Sequence, residues 1–274
     1  MANRVVARFA GLRVRGQAAF MPFITAGDPD LETTRALILE LERRGADLIE
    51  LGFPFTDPIA DGLTIQNSFS RALAAGTTVD SIFVMLRALR KRSEIPILAM
   101  VSYSIISRRR TERFVAEASA AGADGVIIPD LPVEEAAEVI APARARDFCT
   151  VFLVAPTTPP ERVRRIVAES TGFIYYISVA GVTGARDRLP DDLREHVAQV
   201  KAMTATPVAV GFGVSTPAQA RAVAQIADGV IVGSAIVQVI AENAGRSHAT
   251  LRRKVGDFAA VLAEGVKTAR RAGL

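Results

Sequence analysis

The strongest constraint in this sequence is a rhythm. Short, unbroken apolar runs alternate with longer amphipathic stretches, eight times over. The runs are Ala19–Thr25, Leu48–Gly52, Pro96–Ser102, Gly125–Pro129, Thr150–Ala155, Phe173–Ser178, Pro207–Gly211 and Gly229–Val232. Runs without polar alternation suit parallel strands that are buried on both faces. The intervening stretches have helical spacing. In DPDLETTRALILELERRG, Leu31, Thr34, Ile38 and Leu41 share one face, and Gly45 follows the last turn. PVEEAAEVIAPARARD and TPAQARAVAQIAD carry Pro near a helix start, and HATLRRKVGDFAAVLAEGVKTARRA reads as a long amphipathic helix.

Eight strand–helix units over about 250 residues predict an α/β fold, a (β/α)8 TIM barrel. A doubly wound sheet is the alternative, but it usually has fewer strands. No composition shift or low-complexity tract divides the chain, so residues 1–274 are expected to form a single domain. Val5, Val6, Phe9 and Leu12 suggest a short N-terminal helix plugging the lower end of the barrel. Residues 59–93 hold more helix than one unit needs, which predicts an extra helix after the second strand.

Composition narrows the function. No run of eighteen apolar residues is present, so no transmembrane helix is expected. The basic N-terminus lacks an apolar signal region. The single cysteine, Cys149, excludes an internal disulfide and argues for a reducing, cytoplasmic setting. With His196 and His248 the only histidines, a His/Cys metal site is not expected. The net charge is +4 and the pI about 9.6. Trp is absent and there are only three Tyr, which leaves few stacking platforms for nucleic acid. The clusters Arg90-Lys91-Arg92 and Arg108-Arg109-Arg110 read as solvated helix ends, and the charge suits a small anionic substrate.

Barrel chemistry sits where strands end and loops begin. The second run ends in Glu50-Leu51-Gly52. A glutamate in an apolar strand needs a partner or a task. Alternation places Leu48, Glu50 and Gly52 on one face and aims Glu50 at the barrel mouth. A carboxyl held there has a raised pKa and can exchange a proton near neutrality. Asp61 follows in Ala-Asp-Gly, as a second acid or an Asx turn. Asp57, before Pro58, reads as a turn former. Asp130 reads as either a lining residue or the cap of a helix at Pro132, and Asp28 as a helix N-cap.

Three glycine loops follow consecutive strands: Gly181-Val182-Thr183-Gly184, Gly211-Phe212-Gly213, and Gly233-Ser234 before a short helix at Ala235. Glycine lets backbone N–H groups approach an anion, a helix N-terminus adds positive dipole, and barrels often hold phosphate on these loops. Either Tyr175 or Tyr176 could reach the mouth from the sixth run. The sum is a barrel with an acid pair opposite a phosphate grip, suited to cofactor-free acid/base chemistry.

These loops together resemble the tryptophan synthase alpha subunit family. The matches are MPFITAGDP (Met21–Pro29), IELGFPFTDPIADGLTIQ (Ile49–Gln66), GVIIPDLP (Gly125–Pro132), YYISVAGVTGAR (Tyr175–Arg186), PVAVGFGVSTP (Pro207–Pro217) and ADGVIVGSAIV (Ala227–Val237). The resemblance implies retro-aldol cleavage of indole-3-glycerol phosphate to indole and glyceraldehyde 3-phosphate, with indole passed to a PLP-dependent beta subunit in an α2β2 complex. It implies Glu50 and Asp61 as catalytic residues and Tyr175 as a pocket residue. It places the phosphate on Gly184, Gly213, Gly233 and Ser234, with Phe212 also against the substrate. Thr183 would anchor a mobile loop. Two departures stand out. Leu63 replaces the usual Pro after Ala-Asp-Gly, and MVSYSIIS (Met100–Ser107) replaces a loop that lies near the beta-subunit contact in the family.

Overall fold

The protein is described by a computed structural model covering residues 3–58, 61–177, 190, 192–211 and 213–269. Nine parallel strand segments form one sheet that wraps into a nearly closed barrel. They are β1 (Ala19–Thr25), β2 (Ile49–Gly52), β3 (Ile97–Met100), β4 (Gly125–Ile127), β5 (Cys149–Val151), β6 (Leu153–Val154), β7 (Ile174–Ile177), β8 (Val208–Gly211) and β9 (Gly229–Val232). The predicted fifth run is thus two segments rather than one. β5 pairs with β4, β6 pairs with β7, and Phe152 joins them. One strand changes partner at Phe152, whose carbonyl accepts the Tyr175 N–H at 3.1 Å.

Strand alternation sorts the side chains into two layers. Phe20, Ile24, Ile49, Leu51, Tyr176, Val208, Val210 and Val230 face the helices. Ala19, Met21, Leu48, Leu98, Val151, Phe173, Tyr175 and Ile231 fill the interior, together with Val5, Phe9 and Leu12 of helix Arg4–Val14. That helix is the expected plug. The Phe9 and Phe173 rings lie 5.7 Å apart. Val6, grouped with them in the sequence, instead faces solvent. Asn3 caps the plug by accepting the Val5 N–H, and its amide donates to the carbonyls of Asp124 and Asp147.

Three aspartates staple the lower rim. Asp47, Asp124 and Asp228 each accept a backbone N–H opening a neighbouring strand, from Phe20, Ile97 and Val208 respectively. Each also meets a cation: Lys267, Arg90 and Lys201.

After β2 the chain forms two helices, Leu63–Ala74 and Val79–Leu89, as the surplus of helical pattern predicted. The helix expected at Pro132 begins later. Val133–Glu135 is a 3-10 turn, and the α-helix runs Ala137–Arg144. Helix Ser234–Asn243 follows β9, and the long final helix is His248–Lys267. No single described helix is long and apolar enough to cross a membrane.

Candidate active site

Glu50 lies in β2 between Phe23 of β1 and Leu98 of β3, its register partners. Side chains in register on parallel strands point the same way, so an apolar neighbour flanks the carboxyl on either side. Glu50 is 1% exposed, and its Oε1 has no hydrogen-bond partner among the described residues. Burial, with the Asp61 charge nearby, lifts its pKa from 4.5 to about 8. A buried carboxyl without a cation or donor persists in the neutral acid form.

Asp61 stands on the loop between β2 and helix Leu63–Ala74. Its N–H donates to the Pro58 carbonyl at 3.0 Å, and its own carbonyl accepts from Gln66 Nε2 at 2.7 Å. Burial raises its pKa from 3.8 to about 6, less than for Glu50 because its loop is wetter. Near pH 7 the pair therefore holds one proton, on Glu50. Environments that push two acids apart in this way assign them opposite roles.

Both acids open into a cavity of about 1610 Å³, lined also by Phe23, Met100, Tyr175, Gly213, Gly233 and Ser234. Its apolar floor includes Phe23, Ile65 and Phe69, packed on Val237 beneath them, with Phe55 and Met100 alongside. The sequence reading missed this cluster. Its only signal was Phe23, two residues beyond Met21 on the inward face of β1. Of the two tyrosines, Tyr175 is the inward one, and Tyr176 packs among the helices. Burial and the two nearby carboxylates keep the Tyr175 phenol firmly protonated.

Two glycines serve rings rather than an anion. A Cβ at Gly211 would meet the Tyr175 ring at 2.6 Å, and one at Gly52 would meet Phe23 at 2.5 Å. Gly233 does suit an anion. It occupies the N-cap position of helix Ser234–Asn243 with no side-chain cap, and it lines the cavity with Ser234 and Ala235, whose N–H groups have no partner within the helix.

Thr183, Gly184 and Phe212 lie outside the described residues, so three sequence-predicted contacts have no described place. Asp28 is not the helix cap. It is 1% exposed and paired with Arg71, while Asp30 accepts the Thr33 N–H at 2.7 Å as the cap of helix Leu31–Arg43. Asp130 lines the outer cavity but caps a different helix from the one at Pro132. It accepts from Ser102 Oγ at 2.7 Å and from the Tyr103 N–H, at the start of helix Tyr103–Arg108. Asp57 is an exposed loop residue on the same rim, its carboxylate accepting from Thr56 Oγ1 at 3.0 Å. Among the described residues, no three His, Cys, Asp or Glu side chains converge as metal ligands.

A family model described as "Tryptophan synthase alpha chain" matches residues 9–267. A tryptophan synthase alpha chain from Geotalea uraniireducens is 48% identical over 97% of this chain and 98% of that protein. One from Caldanaerobacter subterraneus is 43% identical over 96% of this chain and 99% of that protein. Among solved structures, a tryptophan synthase subunit alpha from Legionella pneumophila superposes with a TM-score of 0.89 at 35% identity, covering 97% of this chain and 99% of that one. A Mycobacterium tuberculosis tryptophan synthase chain superposes with a TM-score of 0.89 at 34% identity, with the same coverage.

Proposed function

The chain belongs to the tryptophan synthase alpha chain family, and from that premise we propose which of its residues perform the family's reaction. The reaction is the retro-aldol cleavage of indole-3-glycerol phosphate, in tryptophan biosynthesis. The bond to be broken joins indole C3 to the glycerol carbon. An indole C3 carbanion is a poor leaving group, so C3 must gain a proton first.

Glu50 supplies that proton. The observation that carries this assignment is its buried, unpartnered Oε1 and its pKa of about 8, which keep the acid form available at neutrality. Protonation at C3 leaves positive charge on the ring nitrogen. Asp61, ionised above about 6, faces that N–H and stabilises the charge as it develops. The glycerol hydroxyl then gives its proton to the Glu50 carboxylate. The C3–carbon bond breaks, its electron pair neutralises the ring, and the hydroxyl carbon becomes the aldehyde. Glu50 ends protonated, ready for another cycle.

Tyr175 and Phe23 pack the apolar ring. The backbone at Gly213, Gly233 and Ser234 holds the phosphate, joined by Gly184 and Phe212, with Thr183 anchoring the loop between β7 and β8. We read residues 1–274 as one barrel domain, supported by the single continuous sheet. Family membership implies a beta-subunit partner. We assign it as a PLP-dependent subunit in an α2β2 assembly that receives indole at the cavity mouth, and we assign the complex to the cytoplasm.

The test is indole release from indole-3-glycerol phosphate by the purified chain, alone and with a beta subunit. Slow turnover that rises on mixing is expected. Fast turnover unchanged by the partner would make this a free-standing lyase. No indole in either tube would remove the residue assignments.

A further inference from the structure

Asp61 is not held by the strand that carries Glu50. Helix Leu63–Ala74 begins two residues after it, and Gly62 at the N-cap position offers no side-chain cap to the first turn. Gln66, in that turn, reaches back and donates to the Asp61 carbonyl at 2.7 Å. The far end of the helix is fixed to the loop after β1. Arg71 forks onto Asp28, Nε to Oδ1 at 2.8 Å and Nη2 to Oδ2 at 2.7 Å. One turn earlier, Ser68 Oγ shares a hydrogen bond of 2.6 Å with Thr25 Oγ1, at the end of β1. Thr25, Asp28 and Ser68 are all buried.

Only the Asp28 end of the Arg71–Asp28 pair is buried, but the two-pronged geometry sets orientation as well as distance. Here the fork registers the helix on β1, and the helix runs unbroken from Leu63 to Ala74. Gln66 carries that registration to the Asp61 backbone. Glu50 meanwhile sits in β2, which is paired to β1 through Phe23, Ile24 and Thr25. β1 is therefore the common reference for both acids.

We propose that Arg71 and Gln66 are positioning residues for Asp61, the Arg71–Asp28 fork placing helix Leu63–Ala74 and Gln66 passing that placement to the acid. The proposal rests on the assignment of Asp61 made above. Neither Gln66 nor Arg71 lines the cavity that holds Glu50 and Asp61.

The experiment uses the full chain with its beta subunit and three variants: Gln66→Met, the charge-free pair Asp28→Asn with Arg71→Met, and Asp61→Asn. All are assayed below the onset of their thermal melts. The first two should lower kcat about tenfold or more, since small misplacements of a catalytic group cost up to about a hundredfold. KM should stay within about twofold. The acid limb of the kcat profile should move to lower pH, because a displaced Asp61 is better hydrated. Arg71→Lys, a point charge without the fork, should recover only part of the loss. Unchanged kcat in Gln66→Met and the double variant, with Asp61→Asn inactive, would overturn the positioning role alone. So would a joint loss of kcat and affinity with an unmoved pH profile. Full turnover by Asp61→Asn would overturn the Asp61 assignment and the positioning role together. Should the double variant not fold, Gln66→Met, on the half-exposed first turn, decides the matter.

Discussion

Replacing Glu50 with glutamine should stabilise the fold while abolishing turnover, and the stabilisation should grow with pH. In the fold this carboxyl titrates at about 8, against an ordinary value of 4.5. Below 4.5 folded and unfolded chains both hold the proton, and the group is neutral in the balance. Between 4.5 and 8 the folded chain keeps the proton that the unfolded chain has lost. The folded state then binds more protons, so stability falls as pH rises. At pH 7 the gap spans about 2.5 pH units, worth about 3 kcal/mol at about 1.4 kcal/mol per unit. Above pH 8 the loss levels off near 5 kcal/mol. Glutamine has nearly the same shape and does not titrate, so Glu50→Gln escapes the loss. For a chain of this length, about 3 kcal/mol corresponds to about 5 °C in Tm. Thermal melts of both proteins from pH 5 to 8.5 give the measurement. The Tm gap should be about 1 °C at pH 5 and widen steadily. The slope matters more than the offset, because the new amide has its own pH-independent contacts. A gap that stays constant over this range would show that Glu50 does not hold its proton in the fold.

Three further outcomes follow from the same geometry. The kcat/KM profile of the native chain should be bell-shaped, with an acid limb near 6 from Asp61 and a basic limb near 8 from Glu50; a single limb between pH 5 and 9 would break the one-proton assignment. Gly211→Ala should displace the Tyr175 ring, 2.6 Å from the added carbon, raise KM by about tenfold or more in steady-state assays and lower Tm by about 2–5 °C. Unaltered KM would show that Tyr175 does not shape the pocket. Gly213→Val and Gly233→Val should raise KM for the phosphorylated substrate and leave free-indole affinity alone; equal losses would remove the phosphate from these loops.

The strand rhythm was readable because parallel strands buried on both faces are continuously apolar, and β1 and β9 match their predicted runs residue for residue. The partner change at Phe152 was invisible, since a strand that switches neighbours stays apolar throughout. Glu50 was legible because a lone carboxylate in such a run is anomalous. The role of Asp28 was not. GDPD offers two aspartates for one cap, and only the long-range contact with Arg71 decides which is used. The tripeptide Ala-Asp-Gly shows the same difficulty. It occurs at 60–62, 123–125 and 227–229. Asp124 and Asp228 stand just before strands and staple the lower rim, whereas Asp61 stands after one and faces the cavity. What separates them is which end of a strand they sit on, and the tripeptide alone does not show that.

The plug helix has a consequence for traffic. With Val5, Phe9 and Leu12 packed into the lower end of the barrel, the cavity has no passage through that end among the described residues. A greasy fragment released beside Glu50 would therefore leave on the side of the strand C-termini, where the cavity opens, and not through the lower end. A subunit seated over that opening would collect every molecule released, without any dedicated conduit through the barrel.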